Sequence, residues 1–172
     1  MEKVVARHRE AEPQELISDM QRRTDNELIS RRMNGKVVIR AKETSWEQGR
    51  QGLAQFLLWE GLWDSVGTPS WRIFVQLIKK HSGKHIHQGG LGIFVIEGEG
   101  YTVVDGTRYD WEAGDLIVLP VKPGGCEHQH FNTDPNKPAL WIAFIYQTML
   151  NQSAAQFIQV ADHPDWIGAK KA

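Results

Sequence analysis

The sequence predicts an all-β domain, a sandwich or barrel, preceded by a helical arm and followed by a short extension. Three observations carry this prediction. The chain has 172 residues, which is about the length of one domain. Short runs of β-forming residues alternate with glycine-rich turns between residues 71 and 147. The chain has seven histidines, and five of them fall within this same β-rich region.

Residues 1–36 are predicted to form a polar helical arm. Glu15–Met33 carries a few apolar residues among many charges, and Gly35 after Asn34 is typical of a helix end. Lys36–Arg40 predicts a short strand. The segment Glu43–Asp64 is ambiguous, because its apolar residues fit either a helix or an irregular pair of strands interrupted by glycines.

The β domain is expected to span residues 37–148. Trp71–Lys80 alternates and is rich in β-forming residues, and Asp105-Gly106 between two apolar runs indicates a hairpin. Five more short strands are predicted at Gly92–Ile96, Tyr101–Val104, Arg108–Trp111, Leu116–Leu119 and Ala139–Gln147. Residues 149–172 form a C-terminal extension, with four apolar side chains that could pack on the domain: Phe157, Ile158, Val160 and Trp166.

Charge, cysteine content and hydropathy exclude several classes of protein. Twenty basic residues against 21 acidic ones give a net charge of −1, which argues against phosphate-neutralising nucleic-acid binding and against a basic membrane-surface module. The single cysteine, Cys126, excludes an intrachain disulfide framework and a cysteine-rich zinc site. Since no apolar run is long enough to span a bilayer and the first residues lack a signal core, we expect a reduced, cytoplasmic protein.

Two histidine pairs carry the chemistry of this sequence. His85 and His87 are separated by one residue, and His128 and His130 repeat that spacing. On extended chain each pair points to one face, because side chains alternate with a period of two. Neutral imidazoles suit Fe, Zn, Cu and Ni better than Mg or Ca. A single such pair is as consistent with hydrogen-bonded or solvated histidines as with a metal site, whereas two pairs favour the metal.

The histidine pairs stand in two motifs that resemble those of the cupin superfamily. Gly83–His87 followed by Phe94–Gly100 resembles the first cupin motif, and Gly114–Pro120 followed by His128–Asn132 resembles the second. The resemblance covers about residues 70–148. It implies a double-stranded β-helix, which is a small jelly-roll barrel with its metal in the mouth.

Within the superfamily the sequence is most similar to gentisate-type ring-cleaving dioxygenases. Val95–Pro120 resembles their first metal-bearing cupin, and the segment from His128 matches their H-x-H-x-N ending. The resemblance implies His85, His87 and His128 as metal ligands, with His130 beside them. His130 is open to three roles: a catalytic acid or base next to the ligands, which we favour, a fourth ligand, or a wall of the pocket.

Two departures from the family pattern bear on function. The glutamate ligand common in cupins would fall at about Gly92, which cannot bind a metal, and this fits the three-histidine subset. Gentisate-type enzymes are longer chains with two cupins, whereas this chain has room for one. The part of the site that their second cupin builds is therefore expected to be absent or supplied by a partner subunit.

These features predict a non-haem Fe(II)-dependent dioxygenase that cleaves a C–C bond in a small hydroxylated aromatic acid or a diketone-like substrate, with O2 as co-substrate. Three neutral ligands leave the full 2+ charge on the metal, which favours an anionic, bidentate substrate. The alternatives are an isomerase, lyase or decarboxylase that uses Zn, Mn or Ni, or a non-catalytic domain that binds a small ligand. The family resemblance also implies a homodimer, with Lys36–Arg40 as a candidate exchanged edge strand.

The remaining chemically interesting residues are expected to play structural roles. Cys126 lacks an environment that would stabilise a thiolate. Trp71, Trp111 and Trp141 lie on predicted strands and are expected in the core. Arg72 and Gln76 could face the barrel interior and bind a carboxylate, but for Arg72 we expect water instead, because charged residues are seldom buried unpaired.

Overall fold

A computed structural model describes residues 16–153 and 157–168. Within them, an α-helix, α1 (Ile17–Asn34), precedes a domain of short strands, and a second short helix, α2 (Gln147–Gln152), follows the last long strand. The eleven described strands are β1 (Trp46–Gly49), β2 (Gly52–Leu58), β3 (Trp71–Ile78), β4 (Lys84–His87), β5 (Leu91–Glu97), β6 (Glu99–Val104), β7 (Thr107–Glu112), β8 (Leu116–Val118), β9 (Cys126–Asn132), β10 (Ala139–Tyr146) and β11 (Ile158–Ala161).

The strands form two antiparallel sheets that face each other as a jelly-roll barrel, which confirms the predicted fold class. One sheet has six strands in the order β1-β2-β3-β10-β5-β8, and the other has five in the order β11-β4-β9-β6-β7. The core lies between them. Its main cluster is Ile78, Leu91, Ile93, Leu119, Cys126, Trp141, Ala143 and Ile145, and a smaller one contains Val95, Trp111 and Ala139.

The N-terminal helix is confirmed over Ile17–Asn34, while Glu15 lies outside the described residues. It buries none of its residues. Gly35 ends it without a left-handed conformation, because its φ is −67°. A side chain there would collide with the backbone of Gly67, since an added Cβ would lie 2.3 Å from the Gly67 nitrogen. The glycine is thus needed for close approach of two segments.

The predicted strand at Lys36–Arg40 is wrong in this structure. Lys36 forms only an isolated parallel bridge with Val66, and Val37 is almost fully exposed. The strand propensity of this run is overridden because, within residues 16–153 and 157–168, the Lys36–Val66 bridge is its single strand-like pairing. In the ambiguous segment 43–64 the strand-pair alternative is confirmed, since β1 and β2 form a hairpin there.

The six strands predicted between residues 71 and 147 are all present, with ends shifted by one or two residues. The Asp105-Gly106 hairpin joins β6 to β7 as expected. β11 of the C-terminal extension pairs with β4, so this extension packs on the barrel. None of the described helices has the length and apolar character that crossing a bilayer requires.

Candidate metal centre

Strands β4 and β9 bring the two histidine pairs together. They pair antiparallel, with His85 opposite His128. The alternation of side chains along each strand places all four imidazoles on the inner face of the sheet. His85, His87, His128 and His130 are all buried, with 2 to 8% of their surface exposed. The expectation that each pair shares one face is confirmed.

Three of these histidines form a compact donor set. One ring nitrogen from each of His85, His87 and His128 lies within 4.8 Å of the others. The ring centroids of His85 and His128 are 4.1 Å apart, and those of His87 and His128 are 4.7 Å apart. His130 is not part of the set. The three nitrogens are therefore close enough to bind one metal ion.

Backbone carbonyls orient two of the three rings. The Nδ1 of His128 hydrogen-bonds the carbonyl oxygen of Cys126 at 3.1 Å, and the Nδ1 of His87 hydrogen-bonds that of Gln88. A ring that donates its Nδ1 hydrogen to a carbonyl keeps a lone pair on Nε2, as metal-binding histidines usually do. The Nδ1 of His85 is buried with no hydrogen-bond partner among the described residues.

Burial keeps these imidazoles neutral. It lowers the pKa of His128 to about 4, with a contribution from the neighbouring His87. The pKa of His85 and that of His87 are also lowered, chiefly by burial. Neutral rings at pH 7 have the lone pairs that a metal requires. Three neutral imidazole donors fit a divalent transition metal such as Fe, Zn, Cu or Ni.

Gly92, where the resemblance places the common cupin glutamate, does not line the cavity beside the histidines. Leu91 and Ile93 line the cavity beside the histidines, whereas Gly92 lies on the opposite face of β5, against the side chain of Leu116. The residues of this segment that face the histidines are thus alkyl side chains. The consequence is unchanged, because an alkyl side chain cannot bind a metal either.

The histidines line one wall of a cavity of about 480 Å³ between the two sheets. Most of its surface is apolar, and no acidic side chain lies among the described residues that line it. The other lining residues are Gln51, Ala54, Phe56, Arg72, Phe74, Gln76, Leu91, Ile93, Trp141, Ala143, Ile145, Gln147, Leu150, Asn151 and Phe157. This is the size and character of a pocket for a small, largely apolar ligand.

Arg72 lines this cavity and is also partly exposed, so it faces the barrel interior as well as the water that we expected. Its guanidinium forms a two-nitrogen contact with the carboxylate of Glu60, and its side chain is 34% exposed. The charge is tolerated there because Glu60, which is not among the residues that line the cavity, pairs with it. Gln76, on the same face of β3, is buried and donates to the Gln51 carbonyl oxygen at 2.6 Å.

Phe157 is a site residue whose contact with the histidines sequence reasoning did not find. It comes from the C-terminal extension, and its ring stacks on that of His85 with a centroid separation of 4.9 Å. The sequence marks it only as an aromatic residue in a polar tail, which predicts packing but not its place. Cys126 is fully buried, and burial raises the pKa of its thiol, so the structure offers no nucleophile there.

Comparison with known proteins agrees with this geometry. Residues 74–145 match the family model of the cupin domain, a stretch that includes all four histidines. This stretch, less than half of the chain, is thus similar to the cupin domain. No curated protein matches the chain significantly.

Solved structures with different activities are similar to the chain. The salicylate 1,2-dioxygenase of Pseudaminobacter salicylatoxidans is 26% identical over 67% of this chain and 33% of its own, with a TM-score of 0.50. This chain thus spans about a third of that enzyme's length. Pac13 of Streptomyces, a nucleoside dehydratase, is 11% identical over 72% of this chain and 92% of its own, with a TM-score of 0.53, a likeness that shows the shared fold.

Proposed function

We propose that this protein is a non-haem Fe(II)-dependent dioxygenase that cleaves a C–C bond in a small hydroxylated aromatic acid or a diketone-like acid. The observation that carries the proposal is the convergence of three neutral histidine nitrogens in an apolar cavity whose described lining has no carboxylate. The similarity to a salicylate 1,2-dioxygenase supports the same reaction class.

In this proposal His85, His87 and His128 hold the iron. Bound Fe(II) would supply the redox chemistry that joins an organic substrate to O2. With no anionic ligand from the protein, the site keeps a net positive charge and attracts a substrate that binds through deprotonated oxygens. Arg72, released from Glu60, would pair with a substrate carboxylate, since a guanidinium matches the geometry of that group.

The other walls of the cavity serve orientation and exclusion of water. Phe74, Trp141 and Ile93 offer an apolar surface to an aromatic or diketone skeleton. Phe157 covers His85, and the sheets shield the remaining histidines. His130 faces the same cavity and is proposed to hold or move a proton at a substrate oxygen.

The alternative is a cupin that does not consume O2. It would be either a Lewis-acid enzyme (an isomerase, lyase or decarboxylase that uses Zn, Mn or Ni) or a non-catalytic domain that binds a small ligand. Its support is the donor set itself, because imidazole nitrogens bind zinc and nickel as readily as iron. Both candidates share the metal ligands and differ in whether O2 is consumed.

Metal analysis tests the ligand assignment that the two candidates share. Protein purified without chelator is expected to hold about one transition-metal ion per chain, and His85→Ala and His128→Ala are expected to lose most of it. His81→Ala is the matched control, since His81 lies outside the three-nitrogen set. Full metal content in His85→Ala and His128→Ala would show that the ligand assignment is wrong.

Oxygen uptake tests the reaction class. Protein loaded with Fe(II) under anaerobic conditions is then exposed to O2 with gentisate, salicylate, catechols and β-diketones. Uptake that depends on both substrate and His128 supports the dioxygenase. No uptake with any of these compounds, in protein that retains its metal, favours the Lewis-acid candidate.

We also propose that the chain is a homodimer, as the family resemblance implies. The outer face of the six-stranded sheet supports this. Phe94 lies opposite Leu116 there, and Ile96, Val118 and Phe144 extend the same apolar face, each of these five being 38 to 66% exposed. Contiguous apolar surface of this kind is typical of an interface.

A further inference from the structure

The environment of His130 defines which of its ring nitrogens carries hydrogen. The Nδ1 of His130 lies 2.8 Å from the hydroxyl oxygen of Thr102, on the neighbouring strand β6. The indole Nε1–H of Trp111, on β7, donates to the same hydroxyl oxygen at 2.9 Å. Thr102 is fully buried, so water does not reach this group.

The hydrogen-bonding capacities of these three groups restrict how they can be arranged. An indole nitrogen only donates, whereas a hydroxyl donates one hydrogen and accepts others. Because Trp111 already donates to the Thr102 oxygen, the hydroxyl hydrogen needs its own acceptor. Among the described residues the Nδ1 of His130 is the acceptor within reach. If that nitrogen carried hydrogen itself, the buried hydroxyl hydrogen would have no partner, an arrangement that folded proteins avoid.

We propose that Thr102 and Trp111 are positioning residues that hold His130 in the tautomer with hydrogen on Nε2. Nδ1 then accepts from Thr102, and Nε2–H is the group that the ring presents to the cavity it lines. A nitrogen that bears hydrogen has no lone pair for a metal, so His130 is a hydrogen-bond donor and not a fourth ligand. Its partner is an oxygen of the cavity ligand, best an anionic carboxylate or phenolate.

The backbone and one glycine support this arrangement. The backbone N–H of His130 donates to Ser82 Oγ at 3.0 Å, and Ser82 in turn donates to the carbonyl oxygen of Gly83, which fixes the chain at the histidine. The indole of Trp111 packs directly over Gly100, where an added Cβ would lie 2.4 Å from the ring. Glycine at residue 100 is thus required for the Trp111 ring to reach Thr102.

Nitrogen NMR of the whole protein tests the tautomer directly. Histidine is labelled with ¹⁵N in metal-free and zinc-loaded protein, and the His130→Gln variant identifies the His130 signals. We expect the shifts and couplings of His130 to show hydrogen on Nε2 and none on Nδ1. Hydrogen on Nδ1 in the wild-type protein would overturn the proposal.

Variants of Thr102 test whether this residue sets the tautomer of His130 or only packs against its ring. Thr102→Ser keeps the hydroxyl and is expected to keep the Nε2–H signature. Thr102→Val has nearly the same shape without the hydroxyl, and is expected to give a mixture of tautomers and about tenfold weaker binding of salicylate. An unchanged signature in Thr102→Val would contradict the role of Thr102, and Thr102→Ser keeps the test valid if the valine variant does not fold.

The role of the Nε2–H group on substrate rests on the proposed function, but the tautomer does not. If the NMR signature is as expected and no O2 is consumed, the tautomer proposal stands and the dioxygenase fails. If O2 is consumed while Nδ1 carries the hydrogen, the dioxygenase stands and the proposal about Thr102 and Trp111 fails.

Discussion

At the scale of single residues, the site is defined by its imidazoles, because none of the described side chains that line the cavity is acidic. Three buried, neutral imidazoles converge, and Leu91 lies beside them in the cavity wall. The only guanidinium in the described lining, that of Arg72, adds positive charge on the opposite strand β3. The proposed metal centre thus carries more positive charge than one with an acidic ligand, and its affinity for anions depends on this.

Leu91→Glu tests this dependence, with Leu91→Gln as a control of equal size and no charge. The glutamate would cancel one unit of positive charge next to the metal, so azide is expected to bind the cobalt-loaded glutamate variant at least about tenfold more weakly than the glutamine variant. The absorption spectrum of the cobalt protein measures this binding. Equal azide affinity in the two variants would show that the carboxylate does not reach the metal.

At the scale of secondary-structure elements, β4 depends on two partner strands that both lie later in the chain. It pairs with β9 on one side and with β11 of the C-terminal extension on the other. Arg50 in the turn between β1 and β2 pairs with Asp162 just after β11 and accepts a backbone hydrogen bond from His163. The extension thus covers the edge of the strand that carries two of the histidines.

A chain that ends at Ser153 is expected to be less stable, because β4 then loses its edge partner. We expect the melting temperature to fall by about 5 to 10 °C, which corresponds to a loss of a few kcal/mol in a chain of this length. A chain that ends at Gly168 keeps β11 and serves as the control. Thermal unfolding followed by circular dichroism measures both, and equal melting temperatures would show that β11 contributes little.

The limits of sequence reasoning also lie at this scale. The long alternating strands and the faces of the histidine pairs could be predicted, because both follow from a period of two within one segment. β4 and β11 are only four residues long, too short for a periodic signal. Phe157 reaches the site through a contact between distant segments, and a single sequence contains no signal for such a contact. Lys36–Arg40 is the opposite case: its residues favour a strand, but in the structure the segment forms an isolated bridge at Lys36 and no strand.

At the scale of the whole molecule, the outer face of the six-stranded sheet is the surface best suited to a second copy. Its apolar side chains come from three adjacent strands, β5, β8 and β10. Helix α1 buries none of its residues, and Val37 in the segment after it is almost fully exposed, so α1 with residues 36–40 is a second candidate surface. The two surfaces imply different dimers.

Two substitutions that each introduce a negative charge distinguish between these dimers. If the sheet face forms the interface, Phe94→Glu is expected to give a monomer in size-exclusion chromatography with light scattering, because it places charges at the centre of the apolar face. Val37→Glu lies in the exposed segment after α1 and is expected to leave that dimer intact. The reverse result would assign the interface to residues 36–40, and a monomeric wild-type protein would exclude both.

The histidine-only donor set bears on which metal ion the proposed centre would take up. For nitrogen ligands the affinity rises from iron through nickel to copper, and zinc also binds more tightly than iron. A site with no acidic oxygen has little chemical preference for Fe(II), so the ion it takes up during folding follows the supply in its surroundings. The same polypeptide, produced in media that differ only in iron and zinc, should therefore yield preparations with different metals and different reactivity.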